Sequence, residues 1–113
     1  MAAIGFVLPI LPGKKEQWTT FHEELSGPRR AEYEDCLRRI GVTRHSVHLQ
    51  ETPNGEMVVV YVEADDLQRA FGELGASQGA FEVWFRQQAL ETEGIDLTQG
   101  MANPPTQIYD IKL

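Results

Sequence analysis

The chain has 113 residues with 17 acidic and 10 basic side chains, a net charge of −7, which is the size of one domain spanning 1–113. Its 42% hydrophobic content, with 9% aromatics, suffices for one two-layer core and excludes disordered and fibrous classes. No stretch approaches the ~20 apolar residues of a membrane span. The apolar start from Ala2 to Pro12 has no basic residue ahead of it and is broken by Pro9 and Pro12, so neither a signal peptide nor a membrane partner is expected. The single cysteine, Cys36, has no partner for an internal disulfide and points to a cytoplasmic setting. Residues 1–44 carry 7 basic and 6 acidic groups, whereas residues 45–113 carry 3 and 11. The acidic half would repel a phosphate backbone, so no nucleic-acid partner is expected.

Residues 3–10 (AIGFVLPI) form an apolar run of strand length, with Pro9 suited to its end. Trp18, Phe21, His22 and Leu25 then recur at i, i+3, i+4 and i+7, one stripe of an amphipathic helix. Ser26-Gly27-Pro28 interrupts it, and Tyr33, Cys36, Leu37 and Ile40 resume the stripe until Gly41. The spacing predicts one long kinked helix or two in series. Residues 42–52 alternate, with His45, Val47 and Leu49 on one face and Arg44, Ser46, His48 and Gln50 on the other. Pro53-Asn54-Gly55 reads as a turn, and Glu56–Ala64 as the returning strand of a hairpin. Asp65-Asp66 predicts a cap for a helix with the stripe Leu67, Ala70, Phe71 and Leu74, shortened by Gly72, Gly75 and Gly79. A further helix is expected over about 77–92, with Phe81, Trp84, Phe85 and Gln88 inward and Ser77 as cap. Residues 94–106 read as a loop, and the alternating tail Gln107–Leu113 as a closing strand.

This order predicts an α+β fold: a ferredoxin-like, four-stranded antiparallel sheet with helices on one face. A sheet so rich in Val, Ile, Phe and Tyr would expose a large apolar patch on its bare side. Two sheets meeting face to face remove it, so a homodimer, a dimeric α+β barrel, is expected.

The strand FVLPI with its Pro-Gly turn, the helix carrying Trp18 and His22, the segments RHSVHLQ and VVVYVE, the aromatic pair in VWFRQQA and the tail QIYDIKL together resemble the dimeric α+β barrel proteins. Within them the chain is similar to the L-rhamnose mutarotases and bacterial relatives of similar length. In those mutarotases a tyrosine and a histidine four apart act as acid and base, and an adjacent aromatic pair walls the sugar pocket. The resemblance implies that His22 is the histidine and Trp84-Phe85 the aromatic pair. Trp18 occupies the tyrosine's place, and an indole does not exchange a proton at neutral pH. The stretch from His22 to Gly41 is longer by about one helical turn and brings in Arg29, Arg30 and Tyr33.

An imidazole inside an apolar stripe needs a partner or a cavity, which makes His22 the first candidate for catalysis. Arg29 and Arg30 lie four and three residues before Tyr33, so guanidinium and phenol can converge on one acceptor of a bound molecule. Against this, Arg29 and Arg30 can equally pair with Glu32, Glu34 and Asp35 on a solvated face. The expected catalytic residues are therefore His22 and Tyr33, and the expected substrate-binding residues Trp18, Arg29, Arg30, His48, Trp84 and Phe85. Of His45 and His48, which point to opposite faces of their strand, one can line the pocket, although a barrel-interface histidine is the favoured reading. The three histidines and Glu51 have no recognisable metal-ligand spacing, so no metal is expected. With no phosphate loop, nucleophile elbow or paired carboxylates, no cofactor is expected either. The resulting expectation is a cofactor-free isomerase or cyclase acting on a small cyclic molecule. A binding protein for an amphiphilic carboxylate such as a fatty acid, and a cofactor-free oxygenase on the same fold, are the alternatives.

Overall fold

A computed structural model describes residues 2–100 and 104–113. Strand β1 (Ala2–Pro9) leads through a Pro12-Gly13 turn into α1 (Lys15–Ser26) and α2 (Arg30–Arg39). Strands β2 (Val42–Thr52) and β3 (Gly55–Ala64) form a hairpin, followed by α3 (Leu67–Ala76), α4 (Ala80–Glu93) and a 3₁₀ turn, Leu97–Gln99. The fold is α+β, with four helices and a three-stranded antiparallel sheet in the order β1-β3-β2. The last strand of the hairpin thus lies between β1 and β2, and the helix pair α1-α2 spans the crossover. No described helix is long and apolar enough to cross a membrane.

Register decides which side chains meet the helices. Val62 pairs with Ile4 and His45, Val60 with Phe6 and Val47, and Val58 with Leu8 and Leu49. Val58, Val60 and Val62 are buried under the helices, packed with Trp18 of α1, and Ala64 is buried with Ile40 and Ala70. A second cluster joins Phe21, Leu25, Cys36 and Phe81 between α1, α2 and α4. The opposite face of the sheet carries Val7, Val59, Tyr61, His48 and Ser46, and Val7 is 59% exposed.

Local chemistry accounts for the helix boundaries. The chain breaks between α1 and α2 at Gly27-Pro28, where the amides of Gly27 and Arg29 both donate to the Glu24 carbonyl. Asp66 caps α3 by accepting from the Arg69 amide at 3.0 Å. Gly94, at φ 70°, ends α4 with its amide on Leu90. Ser77 does not cap α4; it ends α3, and Gly79 sits at the start of α4.

Two expectations are corrected. Gly72 and Gly75 do not shorten α3, which runs through both to Ala76. Gly75 is instead a site of close approach: a Cβ there would stand 2.3 Å from the Leu97 carbonyl oxygen. The closing strand is absent from the single chain, because Gln107–Leu113 pairs with none of the described strands. Its Ile108, Tyr109 and Ile111 are 83%, 76% and 70% exposed, so the alternating segment is not buried against the described residues.

Candidate functional site

Beneath the sheet, between β2, β3 and the helix layer, lies a partly enclosed apolar cavity of about 90 Å³. Four polar side chains reach it from four elements: His22 of α1, Tyr33 of α2, His45 of β2 and Glu93 of α4. Apolar groups such as Phe21, Phe71, Phe85 and Val60 form the remaining walls. No Lys or Arg among the described residues lines it.

The α1 stripe stacks Trp18 on His22 one turn later, with ring centroids 4.3 Å apart, and Phe21 lies 4.8 Å from the same imidazole. His22 Nε2 is buried without a hydrogen-bond partner among the described residues. Burial, with neighbouring His45 adding to it, pushes the imidazole down from 6.5 to about 4, so it is uncharged at neutral pH. Tyr33 and His45 satisfy each other through a short hydrogen bond between the phenol and Nδ1. Burial holds the Tyr33 hydroxyl protonated far above its ordinary range and pushes His45 down to about 4. Tyr33 is therefore the donor and His45 Nδ1 the acceptor. His45 also lines a surface cleft beside Glu34, Arg38 and Arg44, so it stands, with Leu37 and Val42, between the cavity and the exterior.

Glu93 closes the opposite end. Its Oε2 accepts from the Trp18 indole N–H at 3.0 Å. Burial drives its carboxyl from 4.5 up to about 7, and the indole bond only partly opposes this. Trp18 thus touches both His22 and Glu93 and sets them on one side of the cavity. Cys36 also lines the space, its thiol pushed up to about 11 by burial and then by Glu82, which makes it a protonated wall residue.

Of the expected site residues, the structure brings His22, Tyr33 and Phe85 together at the cavity and places Trp18 immediately behind it. Phe85 lies against Tyr33, with ring centroids 5.6 Å apart. Trp84, one residue earlier and so turned about 100° around the helix, packs edge-on against Phe21 outside the cavity. The Arg29 guanidinium stacks on Trp84, 4.2 Å from its ring centroid, and pairs with Glu24 and Glu32. Arg30 pairs with Glu34. Neither arginine converges with Tyr33 on a shared acceptor, because carboxylates one turn away hold both at the surface. His48 is paired with Val59 on the outer face of the sheet, away from the cavity.

Glu93 is the functional candidate that the sequence did not single out, and His45, not the expected His48, is the β2 histidine at the cavity. For Glu93 a signal exists: Phe81, Phe85, Ala89 and Glu93 repeat at four-residue spacing, so the carboxylate ends the inner stripe of α4. Among the described residues no group of three His, Cys, Asp or Glu side chains is placed to hold a metal ion. No protein-family model, no curated protein and no solved structure matches the chain.

Proposed function

We propose that the protein is a cytoplasmic, cofactor-free acid/base catalyst, an isomerase or cyclase of the mutarotase kind, acting on a small cyclic organic molecule held under the sheet. The observation that carries this reading is Glu93: a buried carboxyl poised at about 7 beside an apolar cavity. A group that titrates near the working pH is the most effective donor and acceptor of protons. Glu93 takes and returns the proton. His22 at about 4 is too weak a base for that task and serves as an uncharged hydrogen-bond partner for a substrate oxygen. The Tyr33 hydroxyl, held by His45, supplies a fixed dipole at the opposite wall, and Phe85 packs the ring. The fatty-acid alternative draws no support from the cavity, where a carboxylate would meet Glu93 and no cation.

The test is hydrogen exchange in D₂O, followed by NMR, on a panel of small cyclic ketones, lactols and sugars. Protein-dependent deuterium uptake or anomer interconversion is expected, falling roughly 100-fold or more in Glu93→Gln. Activity that survives Glu93→Gln overturns the role of Glu93, and a panel without any catalysed exchange overturns the enzyme reading.

The same proposal makes the chain one half of a homodimeric α+β barrel whose ferredoxin-like sheet gains Gln107–Leu113 as its fourth strand. Its support is the unpaired tail, with alternate apolar side chains largely exposed, together with the exposed Val7 on the outer face of the sheet. Sedimentation at micromolar concentration is expected to give a dimer that a chain ending at residue 106 does not form. A monomeric full-length chain overturns it.

A further inference from the structure

The polar atoms around the cavity differ in whether they are already spoken for, and that difference selects a ligand. Tyr33 and His45 satisfy one another. One carboxylate oxygen of Glu93 holds the Trp18 indole. Of the groups lining the cavity, His22 Nε2 is the one both buried and without a partner among the described residues. A buried nitrogen in that state is destabilising until something bonds to it. The rest of the wall is apolar, and no Lys or Arg among the described residues lines it to neutralise an anion. The cavity is partly enclosed, with a volume of about 90 Å³, so the occupant is a compact molecule.

We propose that the cavity selects a small, uncharged, mostly apolar ring bearing a single hydroxyl-type group that bonds to His22 Nε2, and that it rejects carboxylates. An uncharged imidazole either donates or accepts through that nitrogen, and a hydroxyl satisfies it in both cases. A carboxylate would lose its hydration without a counter-charge and would face Glu93. This ligand class rests on reading the cavity as the substrate site, and it narrows the substrates to neutral cyclic alcohols, lactols and enols.

Three probes sharing one ring separate the contributions: cyclopentanol, cyclopentane and cyclopentanecarboxylate. Binding is followed in the full chain by NMR, through the His22 imidazole nitrogens and the Trp18 indole N–H. Cyclopentanol is expected to shift both signals and to bind roughly tenfold more tightly than cyclopentane, the worth of one buried hydrogen bond. Cyclopentanecarboxylate is expected to leave both signals unmoved above the Glu93 titration. In His22→Leu the preference for cyclopentanol over cyclopentane disappears. If that variant does not fold, the His22 nitrogen shift in the unaltered chain decides alone. Equal binding of cyclopentanol and cyclopentane, tighter binding of the carboxylate, or no binding of cyclopentanol because water alone satisfies His22, each overturns the proposal. Cyclopentanol binding without catalysed deuterium exchange on any substrate overturns the enzyme reading and leaves the ligand class standing. Exchange without cyclopentanol binding does the reverse.

Discussion

Helix α4 carries a buried glutamate near each end, and the two are stabilised in opposite ways. Glu82, in the first turn, is 2% exposed and meets the Arg39 guanidinium at 2.8 Å. Burial tends to raise its carboxyl, but the Arg39 hydrogen bond and further donors outweigh this and hold it below the usual carboxylate range. Glu93, the last residue of the helix, is 8% exposed, and its donor among the described residues is a neutral indole. It also lies at the negative end of the helix dipole, whereas Glu82 lies at the positive end. Burial alone therefore does not set the charge of an acid; the charge of its nearest donor does. The α2-α4 corner is a clamp of paired ions, whereas the cavity end combines uncharged imidazoles and a phenol with a carboxyl that ionises only near pH 7.

The largest expected effect separates these two regions by pH. His22 and His45 have folded values of about 4 against an ordinary 6.5. Their stability is complete above 6.5 and is lost as pH falls towards 4, because the unfolded chain takes up the protons first. The pair contributes roughly 5 kcal/mol across that window, to be read from urea unfolding of Glu93→Gln at about pH 7 and about pH 4, because the Glu93 carboxyl opposes the change in the parent. His22→Leu should remove about half of the loss. A pH-independent unfolding free energy in the Glu93→Gln background would show that the cavity end is solvated rather than dry.

Next in size is Glu93, with the opposite sign. Its folded value of about 7 exceeds 4.5, so its contribution is complete below 4.5 and is lost as pH rises through 7. Glu93→Gln keeps the shape and removes the ionisation, so the variant should be more stable than the parent by about 3 kcal/mol above pH 7. Between 4.5 and 6.5 it should also show a steeper rise in stability with pH, because the opposing slope is gone. Arg39→Met should then cost about 1–3 kcal/mol by leaving the Glu82 carboxylate unpaired. Arg39→Met combined with Glu82→Met should recover most of that loss in thermal unfolding, since apolar side chains replace a buried pair well. The smallest effect belongs to Arg29→Ala, which removes the cation stacked on Trp84 and should cost about 0.5 kcal/mol, visible mainly as altered Trp84 fluorescence.

Much of the fold is legible in the residues because the signals are local. Gly27-Pro28 divides the first helical stretch, Asp66 caps α3, and Pro53-Asn54-Gly55 turns the hairpin. The tail is not legible in that way, since alternation in Gln107–Leu113 states what a segment can pair with and not whether a strand is present to receive it. His22 stands out because a polar ring interrupts an apolar stripe. The choice between His45 and His48 depends on which strand face turns inward, and both faces of β2 mix polar with apolar residues. Only pairing with the buried Val62 settles it for His45. Glu93 escapes a sequence reading because a glutamate beside a terminal glycine ordinarily faces water. It is buried here because Trp18, far away in sequence, turns its indole towards it.

The close approach at Gly75 gives the cavity a means of adjustment that lies outside its polar machinery. Ile95 and Leu97 form one end wall, and the Leu97 carbonyl rests where a side chain at position 75 would stand. The position of that wall is thus set by a missing methyl group on a neighbouring helix. Any residue larger than glycine there must displace that segment, so the shape of the chamber can evolve, or be engineered, by a substitution that touches none of the polar groups lining it.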